Sequence, residues 1–248
     1  MYSFSSRIRY SECDSGGKLT LASLLNYFQD CSTFQSEDLR LGFEYLSERH
    51  LVWVLAFWQI VVLRRPGICE EVEIGTFPYE FKKCIGVRNF FMRTKEGEYL
   101  AKANSVWGLL NTETMKPTLP SADMLRGYRL ESRLEMDYSP RKIKMPDELV
   151  REEPIVVKKH HLDTNLHVNN GQYIDMALEF LPEDFVVGQL RAEYKKQAWL
   201  GDVLYPYTAK AAGAYSIALR DENGEPYVNM LFLNGAKTAE GLVNDQAG

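Results

Sequence analysis

The strongest constraint on the fold is a pattern that the chain uses twice, in which a helical stripe precedes several strand-like runs. In the first half the stripe lies within residues 20–39. Its apolar members share one helical face: Leu21, Leu24, Leu25, Phe28 and Cys31. Runs rich in β-branched and aromatic residues follow at 51–63, 70–81, 86–94 and 99–110. This order predicts one long helix followed by an antiparallel meander.

The second half repeats this plan with a different spacing. A strand-like segment over 154–161 leads into an Asn-rich turn and a second helical stripe around 173–181. Strand-like runs follow at 186–196, 203–211, 215–220 and 227–233. The segment around Asp163 lies 149 positions after that around Asp14, whereas the run 190–195 lies 132 positions after 58–63. We therefore predict one structural unit used twice, with loops of unequal length.

A polar segment over 116–153 separates the two halves and carries four prolines. We predict an N-terminal unit over 1–115, a connecting segment over 116–153 and a C-terminal unit over 154–248. A helix wrapped by an antiparallel sheet is the hotdog architecture. The predicted fold class is therefore α+β, a tandem (double) hotdog with a long helix in each half.

Composition narrows the class of protein. The 34 acidic and 29 basic residues give a net charge of −5, which argues against a general nucleic-acid binder. The apolar run 51–63 is well short of the roughly 20 residues that a membrane helix needs. The N-terminus lacks the apolar region of a signal peptide. The four cysteines show no CxxC spacing and all lie in the first half, and a disulfide framework would be denser, so we expect a reducing, cytoplasmic setting. The short apolar run leads us to expect no membrane span.

The stretch HHLDTNLHVNNGQY, residues 160–173, concentrates the reactive side chains. Asp163, Asn165 and His167 stand at alternate positions. In an extended segment alternate side chains point to one side, so these three are expected to converge. Since Asp and His are common general acids and bases, we take the set as a candidate catalytic centre.

The same stretch enters the second predicted helix. Asn169 or Asn170 is suited to cap that helix, which is a purely structural role. The start of a helix also offers backbone N–H groups and partial positive charge, which stabilise a carbonyl oxygen as it becomes negative. We take the backbone of Val168, Asn169, Asn170 and Gly171 as a candidate oxyanion hole, in which Gly171 permits close approach.

A metal site is the other specific interpretation of this stretch. His160, His161, Asp163 and His167 are possible ligands. Their spacing matches neither a zinc finger nor an HExxH helix. We therefore predict no metal and no cofactor, and we expect His160 and His161 to be exposed or packing residues.

Several segments, in this order, resemble the acyl-acyl carrier protein thioesterases. DTNLHVNNGQYI (163–174) is similar to the catalytic pattern D-x-N-x-H-V-N-N-x-x-Y of that family. LVWVLAFWQI (51–60), VEIGTFP (72–78) and AKANSVWGLLNTETMKP (101–117) resemble further family segments. The resemblance covers roughly residues 4–234 and implies a double hotdog, in agreement with the repeat.

The resemblance implies an enzyme that releases free fatty acids from acyl carrier protein during fatty-acid synthesis. The implied partner is acyl carrier protein bearing a fatty acyl chain, with the enzyme a monomer or homodimer. Two alternatives remain open at this point: an acyl-CoA thioesterase that uses the same loop, and a non-catalytic acyl-binding hotdog protein.

One departure from the family pattern limits which residues can act as nucleophile or base. Where the family commonly has a Glu-Cys pair, this chain has Gln197 and Ala198, within EYKKQAW. A cysteine nucleophile is therefore excluded at that position, and Gln197 is limited to positioning a water or carbonyl through its amide. Asp163 becomes the expected acid–base centre, either activating water or attacking the carbonyl. His167 would help to move the proton, and Asn165 would polarise the carbonyl or hold the water.

The first half lacks this constellation, since Asp14 is followed by Ser15, Gly16 and Gly17. The resemblance implies that this half forms the acyl-chain pocket. Candidate substrate-binding residues are Leu25, Trp53, Phe57 and Trp58, although buried aromatics usually form plain core. Because acyl carrier protein is acidic, docking is expected near basic residues, of which five groups stand out: Arg64-Arg65, Lys82-Lys83, Arg141-Lys142 with Lys144, Lys158-Lys159 and Lys195-Lys196.

Overall fold

The computed structural model describes residues 1–235, and the chain divides into two compact units. The first unit comprises Met1–Trp58 and Arg64–Tyr138. The second comprises Gln59–Leu63 and the described residues from Ser139 to 235. The segment 116–153 is thus divided between the units, with residues up to Tyr138 in the first and residues from Ser139 in the second. The part of the predicted C-terminal unit after residue 235 lies outside the described residues.

The first unit is built on an antiparallel sheet of five strands. These are β1 (Tyr2–Arg7), β2 (Leu51–Val62), β3 (Glu71–Lys82), β4 (Ile85–Thr94) and β5 (Tyr99–Asn111). Their spatial order is β1-β3-β4-β5-β2. The β3–β4 and β4–β5 pairs are antiparallel hairpins. Strand β1 alternates half-buried and exposed residues from Tyr2 to Arg7.

Helix α1 (Leu21–Asp38) supplies the core of this unit. Thr20 caps it by accepting a hydrogen bond from the Ser23 N–H at 3.1 Å. The predicted apolar stripe is buried, and Phe28 packs its ring near those of Trp58 (6.1 Å) and Phe90 (5.4 Å). Burial of this aromatic cluster stabilises the unit.

Two short helices of the first unit were not predicted. They are α2 (Phe43–Glu48) and α3 (Ala122–Gly127). Met124 and Tyr128 pack against Leu41 and Leu109 in a small satellite cluster of buried residues. The prolines of segment 116–153 had indicated a connecting segment, so the packing of its apolar residues was not predicted.

The second unit repeats the plan on a smaller scale. Its helix is α4 (Asn170–Leu178), nine residues against eighteen in α1. Its strands are β6 (Val150–Arg151), β7 (Ile155–Val156), β8 (Val187–Tyr194), β9 (Val203–Ala211), β10 (Ala214–Arg220) and β11 (Pro226–Asn234). The order is β8-β11-β10-β9, all antiparallel, with β6 and β7 both paired to β9. The predicted strand over 154–161 is wrong beyond Val156, because residues Lys159–His161 form a 3-10 turn.

Within residues 1–235 no helix is both long and apolar enough to cross a membrane.

Candidate active site

Asp163 organises a tight turn immediately before α4. Its carbonyl oxygen accepts from the Leu166 N–H at 3.1 Å, and its Oδ1 accepts from the N–H groups of Asn165 (2.8 Å) and His167 (3.4 Å). The expectation of an extended segment was therefore wrong, since Asx chemistry closes the chain into a turn. Asp163 is half-buried, and its carboxylate is held by backbone donors on one oxygen.

The first unit contains the same turn around Asp14. Asp14 Oδ1 accepts from the N–H groups of Gly16 (2.9 Å) and Lys18 (3.0 Å), and the carbonyl oxygen accepts from Gly17 (2.9 Å). The cross-turn bond also recurs: Asp14 N–H donates to Lys18 and Asp163 N–H to His167. The predicted offset of 149 positions is confirmed by this bonding pattern.

The second offset is confirmed in the same way. Leu19 N–H donates to the Pro66 carbonyl at 3.0 Å, and Val168 N–H donates to the Ala198 carbonyl at 2.9 Å. Ala198 lies 132 positions after Pro66, so the residue before each, Arg65 or Gln197, occupies an equivalent place beside its turn.

The two turns differ in what surrounds the second carboxylate oxygen. Arg65 Nη1 lies 2.6 Å from Asp14 Oδ2. Burial acts to raise the pKa of Asp14, but hydrogen bonds from the Lys18 backbone, Arg65 and Gly16 outweigh it and hold this pKa below its usual value. In the second unit Gln197 stands at the place of Arg65 and brings no charge. Among the described residues none hydrogen-bonds to Asp163 Oδ2, so the fold leaves this oxygen without a partner.

His167 belongs to the same turn, since its backbone N–H donates to Asp163 Oδ1. Its backbone pairs with Trp199, and the two rings meet edge to face with centroids 4.0 Å apart. The Nε2 atom is buried, and no group within residues 1–235 hydrogen-bonds to it. Burial lowers the pKa of His167, while the Asp163 carboxylate opposes the shift. The imidazole is therefore neutral near pH 7 and has one nitrogen unused by the fold.

Asn165 and Gln197 are both exposed at the surface of this turn. The Asn165 backbone holds Asp163, which leaves its amide side chain pointing into solvent-accessible space. The structure thus groups Asp163, Asn165 and His167 on one turn, with Gln197 on the adjoining loop.

Several backbone N–H groups at the N-terminus of α4, which were predicted to form an oxyanion hole, already have acceptors within the protein. Val168 N–H donates to Ala198, Asn169 N–H to the His161 carbonyl, and Gly171 N–H to the Asn169 side chain at 2.8 Å. Asn169 is the N-cap, as the capping prediction allowed. These three N–H groups therefore have acceptors within the protein in this arrangement.

Models of the acyl-ACP thioesterase family match both units, the N-terminal domain over residues 1–128 and the C-terminal domain over 144–229. The chain belongs to the acyl-ACP thioesterase family. The sequence-based prediction of this family is confirmed.

Named relatives and solved structures agree with this assignment. The chain is 28% identical over 233 residues to acyl-acyl-carrier-protein hydrolase FATB1 of Cuphea viscosissima, covering 84% of this chain and 53% of that protein. It is 25% identical to oleoyl-acyl carrier protein thioesterase 1 of Arabidopsis thaliana, covering 92% and 70%. The chain spans about half the length of the first of these relatives.

The same fold is present in solved structures. An acyl-ACP thioesterase from Bacteroides thetaiotaomicron superposes with a TM-score of 0.85 at 22% identity, covering 93% of this chain and 96% of that one. The 12:0-ACP thioesterase from Umbellularia californica gives 0.79 at 21% identity, covering 94% and 96%. The predicted α+β tandem hotdog is confirmed.

Tyr173 ties the loop that holds Gln197 and Ala198 to helix α4. The sequence had placed this residue only on the apolar face of the helix. Tyr173 is buried, and its hydroxyl accepts from the Ala198 N–H at 2.9 Å. In the first unit the equivalent positions hold Leu24 and Pro66, which have no hydroxyl and no N–H. Comparison of the two halves is the signal that identifies Tyr173 as a positioning residue.

Replacing Tyr173 with Phe tests this tie. Ala198 is fully buried, so its N–H would lose its acceptor, and we expect the free energy of unfolding to fall by about 1–3 kcal/mol. Urea denaturation measures this change, and Tyr10→Phe, at a residue 85% exposed, is the control. An unchanged free energy for Tyr173→Phe would show that this bond does not hold the loop.

The candidate substrate-binding residues lie in two places of the first unit. Leu25, Phe57 and Trp58 are at most 1% exposed, and the Trp58 indole Nε1 is buried without a hydrogen-bond partner among the described residues. Trp53 is half-buried against the satellite cluster, with its ring 6.2 Å from that of Phe81. The packing gives these residues a definite role in the core, and a role at the acyl chain stays a prediction from the family relationship.

Proposed function

We propose that the protein hydrolyses the thioester of fatty acyl-acyl carrier protein and releases a free fatty acid. Family membership supplies the reaction class. The observation that carries the proposal is the contrast between the two Asp turns. Asp14 is neutralised by Arg65 at 2.6 Å, whereas Asp163 has no ion-pair partner among the described residues and shares its turn with His167, whose Nε2 has no hydrogen-bond partner there.

In the proposed mechanism Asp163 is the general base. Oδ1 is fixed by two backbone N–H groups, so Oδ2 is directed at a water and takes its proton as that water attacks the thioester carbonyl. The tetrahedral intermediate then expels the thiolate. The proton held by Asp163 moves to the neutral Nε2 of His167, which delivers it to the thiolate, so that both side chains return to their starting protonation states.

The carbonyl oxygen needs a hydrogen-bond donor as it gains charge. Because three N–H groups at the α4 N-terminus already have acceptors, we assign this donor to the exposed Asn165 amide, with Gln197 holding the attacking water. The partial positive charge of the α4 N-terminus adds to this stabilisation. The backbone of Val168–Gly171 thereby acts through its dipole rather than as the main donor.

The substrate class is tested with one fatty acyl chain on two carriers. We expect purified protein to release free acid from acyl carrier protein with a kcat/KM well above that for the matching acyl-CoA. Release measured by mass spectrometry separates the outcomes. A higher kcat/KM on acyl-CoA would contradict the carrier-protein assignment, and binding without release of acid would contradict an enzymatic role.

The rate should also depend on pH through His167. Its pKa lies below the ordinary value of 6.5 because of burial, so the imidazole is mostly neutral at pH 7 and gains its proton on acidification. We expect kcat/KM to fall on the acidic side, with a midpoint below pH 6.5. A pH profile of kcat/KM checks this, and a midpoint above pH 6.5 would contradict it. His167→Gln should abolish that limb of the profile.

A further inference from the structure

An apolar patch with a basic rim lies beside the catalytic turn. The side chains of Leu166, Trp199 and Leu200 are 66%, 52% and 53% exposed. His167 and Trp199 are paired through their backbones, so Leu166 and Leu200 flank the same pair. Exposed apolar residues are common singly, but a group of three around an active site marks an interaction surface. We call these three residues, with the basic rim described next, the docking patch.

The rim of the docking patch is positively charged. Lys158, Lys159 and His160 are exposed, and within the described residues neither lysine pairs with a carboxylate. The Val157 carbonyl accepts from the Gly201 N–H at 3.1 Å, which places Lys158 next to Leu200. A cleft of about 420 Å³ runs along this rim, lined by Pro154, Ile155, Val156, Lys158, His160 and His161. The rim therefore offers cations around an apolar floor.

Two of the other four basic groups are already neutralised, whereas Lys82-Lys83 and Arg141-Lys142 with Lys144 form no ion pair among the described residues and lie farther along the chain from Asp163. Carboxylates of the same unit pair with two of the five groups considered for docking, as Arg64–Glu70, Arg65–Asp14, Lys195–Glu193 and Lys196–Asp221. These cations are unsuited to attract a distant acidic partner. Lys158 and Lys159 keep their charge and lie closest along the chain to Asp163.

Two of the three apolar positions of the docking patch are specific to the catalytic unit. Positions 166 and 199 correspond to Gly17 and Gly67 in the first unit, whereas position 200 corresponds to Ile68, which is itself 44% exposed. Leu166 has φ +63°, and its counterpart Gly17 has φ +68°. A leucine is strained in this left-handed conformation, which glycine adopts freely. A strained and exposed leucine where glycine would fit indicates that its side chain has a use.

We propose that the docking patch binds the acidic surface of acyl carrier protein. This rests on the proposed function and locates the partner on it. A carrier delivers its acyl group on a tethered arm, so it must dock beside the turn that holds Asp163. An acidic surface with an apolar contact is complementary to cations around Leu166, Trp199 and Leu200.

Two variants away from the reacting groups test the docking patch: the double charge reversal Lys158→Glu/Lys159→Glu, and Leu200→Glu. The matched control is Lys82→Glu/Lys83→Glu, which reverses two exposed lysines of the first unit. Each protein is assayed on acyl carrier protein and on acyl-pantetheine of the same chain. We expect both patch variants to lose about tenfold or more in kcat/KM on the carrier protein, mainly through KM. Activity on acyl-pantetheine should be unchanged, and the control should resemble wild type on both substrates.

The alternatives give different results. Equal losses on both substrates would place the patch in the chemistry and overturn docking. Full activity of the patch variants on carrier protein, or an equal loss in the control, would place docking elsewhere. A dimer that Leu200→Glu converts to monomers would make the patch a contact between two copies of this chain. Wild-type protein that cleaves acyl-pantetheine but not acyl carrier protein would overturn the proposed substrate together with the surface, whereas the earlier outcomes overturn the surface alone.

Discussion

An Asp163→Asn variant is expected to release free acid from acyl carrier protein about 10³-fold more slowly than wild type. The substitution preserves Oδ1, which accepts from the N–H groups of Asn165 and His167. It replaces Oδ2 with an NH₂ group, which cannot take a proton from water. The turn is therefore retained while the base is removed. Single-turnover release of free acid measures the chemical step directly.

The chain provides a matched control in Asp14→Asn. This change keeps the equivalent Oδ1 bonds from Gly16 and Lys18 and removes the charge opposite Arg65. Activity should be unchanged, with at most a small loss of stability because the ion pair is partly exposed. Near wild-type turnover by Asp163→Asn would refute the proposed base, and a comparable loss in Asp14→Asn would show that both turns act only through folding.

A Gln197→Arg variant is expected to lose activity about 10²-fold without losing stability. Gln197 occupies the place of Arg65, whose guanidinium bonds to Asp14 Oδ2 at 2.6 Å. An arginine at 197 should bond to Asp163 Oδ2 in the same way and block it as a base. Steady-state kinetics together with urea denaturation separate this effect from unfolding.

Gln197→Glu is the informative companion, since it restores the carboxylate that the family commonly has at this place. We expect it to retain activity, because it leaves no cation on Asp163. Arg65→Gln, which gives the first turn the side chain of the second, should leave the rate unchanged. Full activity in Gln197→Arg would show that the side chain at position 197 does not face the Asp163 carboxylate. The two loops would then be equivalent in their backbone hydrogen bonds but not in the direction of their side chains.

Periodicity was sufficient for the large elements of the fold. The stripe of α1 and the runs of β2 to β5 are long, and a long periodic segment has few alternative structures. The prediction of a strand over 154–161 was wrong because only Ile155 and Val156 are in a strand. They are followed by a 3-10 turn whose hydrogen bonds are local. Short elements are decided by tertiary contacts that no window of sequence contains.

The candidate site was predicted by residue identity and not by geometry. Asp163, Asn165 and His167 were grouped correctly on one segment, but a strand had been expected where Asp163 closes a turn. Tyr173 has no local signal, since its hydroxyl meets Ala198 only after folding. The ion pair of Asp14 with Arg65 spans 51 positions, so the contrast between the two turns was visible only once both were folded.

The duplicated turn has a consequence for how such a protein balances stability against activity. In a single-copy enzyme one site must both hold the fold and expose groups that the fold leaves unsatisfied, so the two demands conflict. Here the Asp14 turn carries the ion pair, with leucine and proline where the other turn has Tyr173 and Ala198. The Asp163 turn retains the open oxygen and the unbonded imidazole nitrogen. Duplication thus lets selection improve robustness in one copy and reactivity in the other, and mutations in the two turns should be constrained for different reasons.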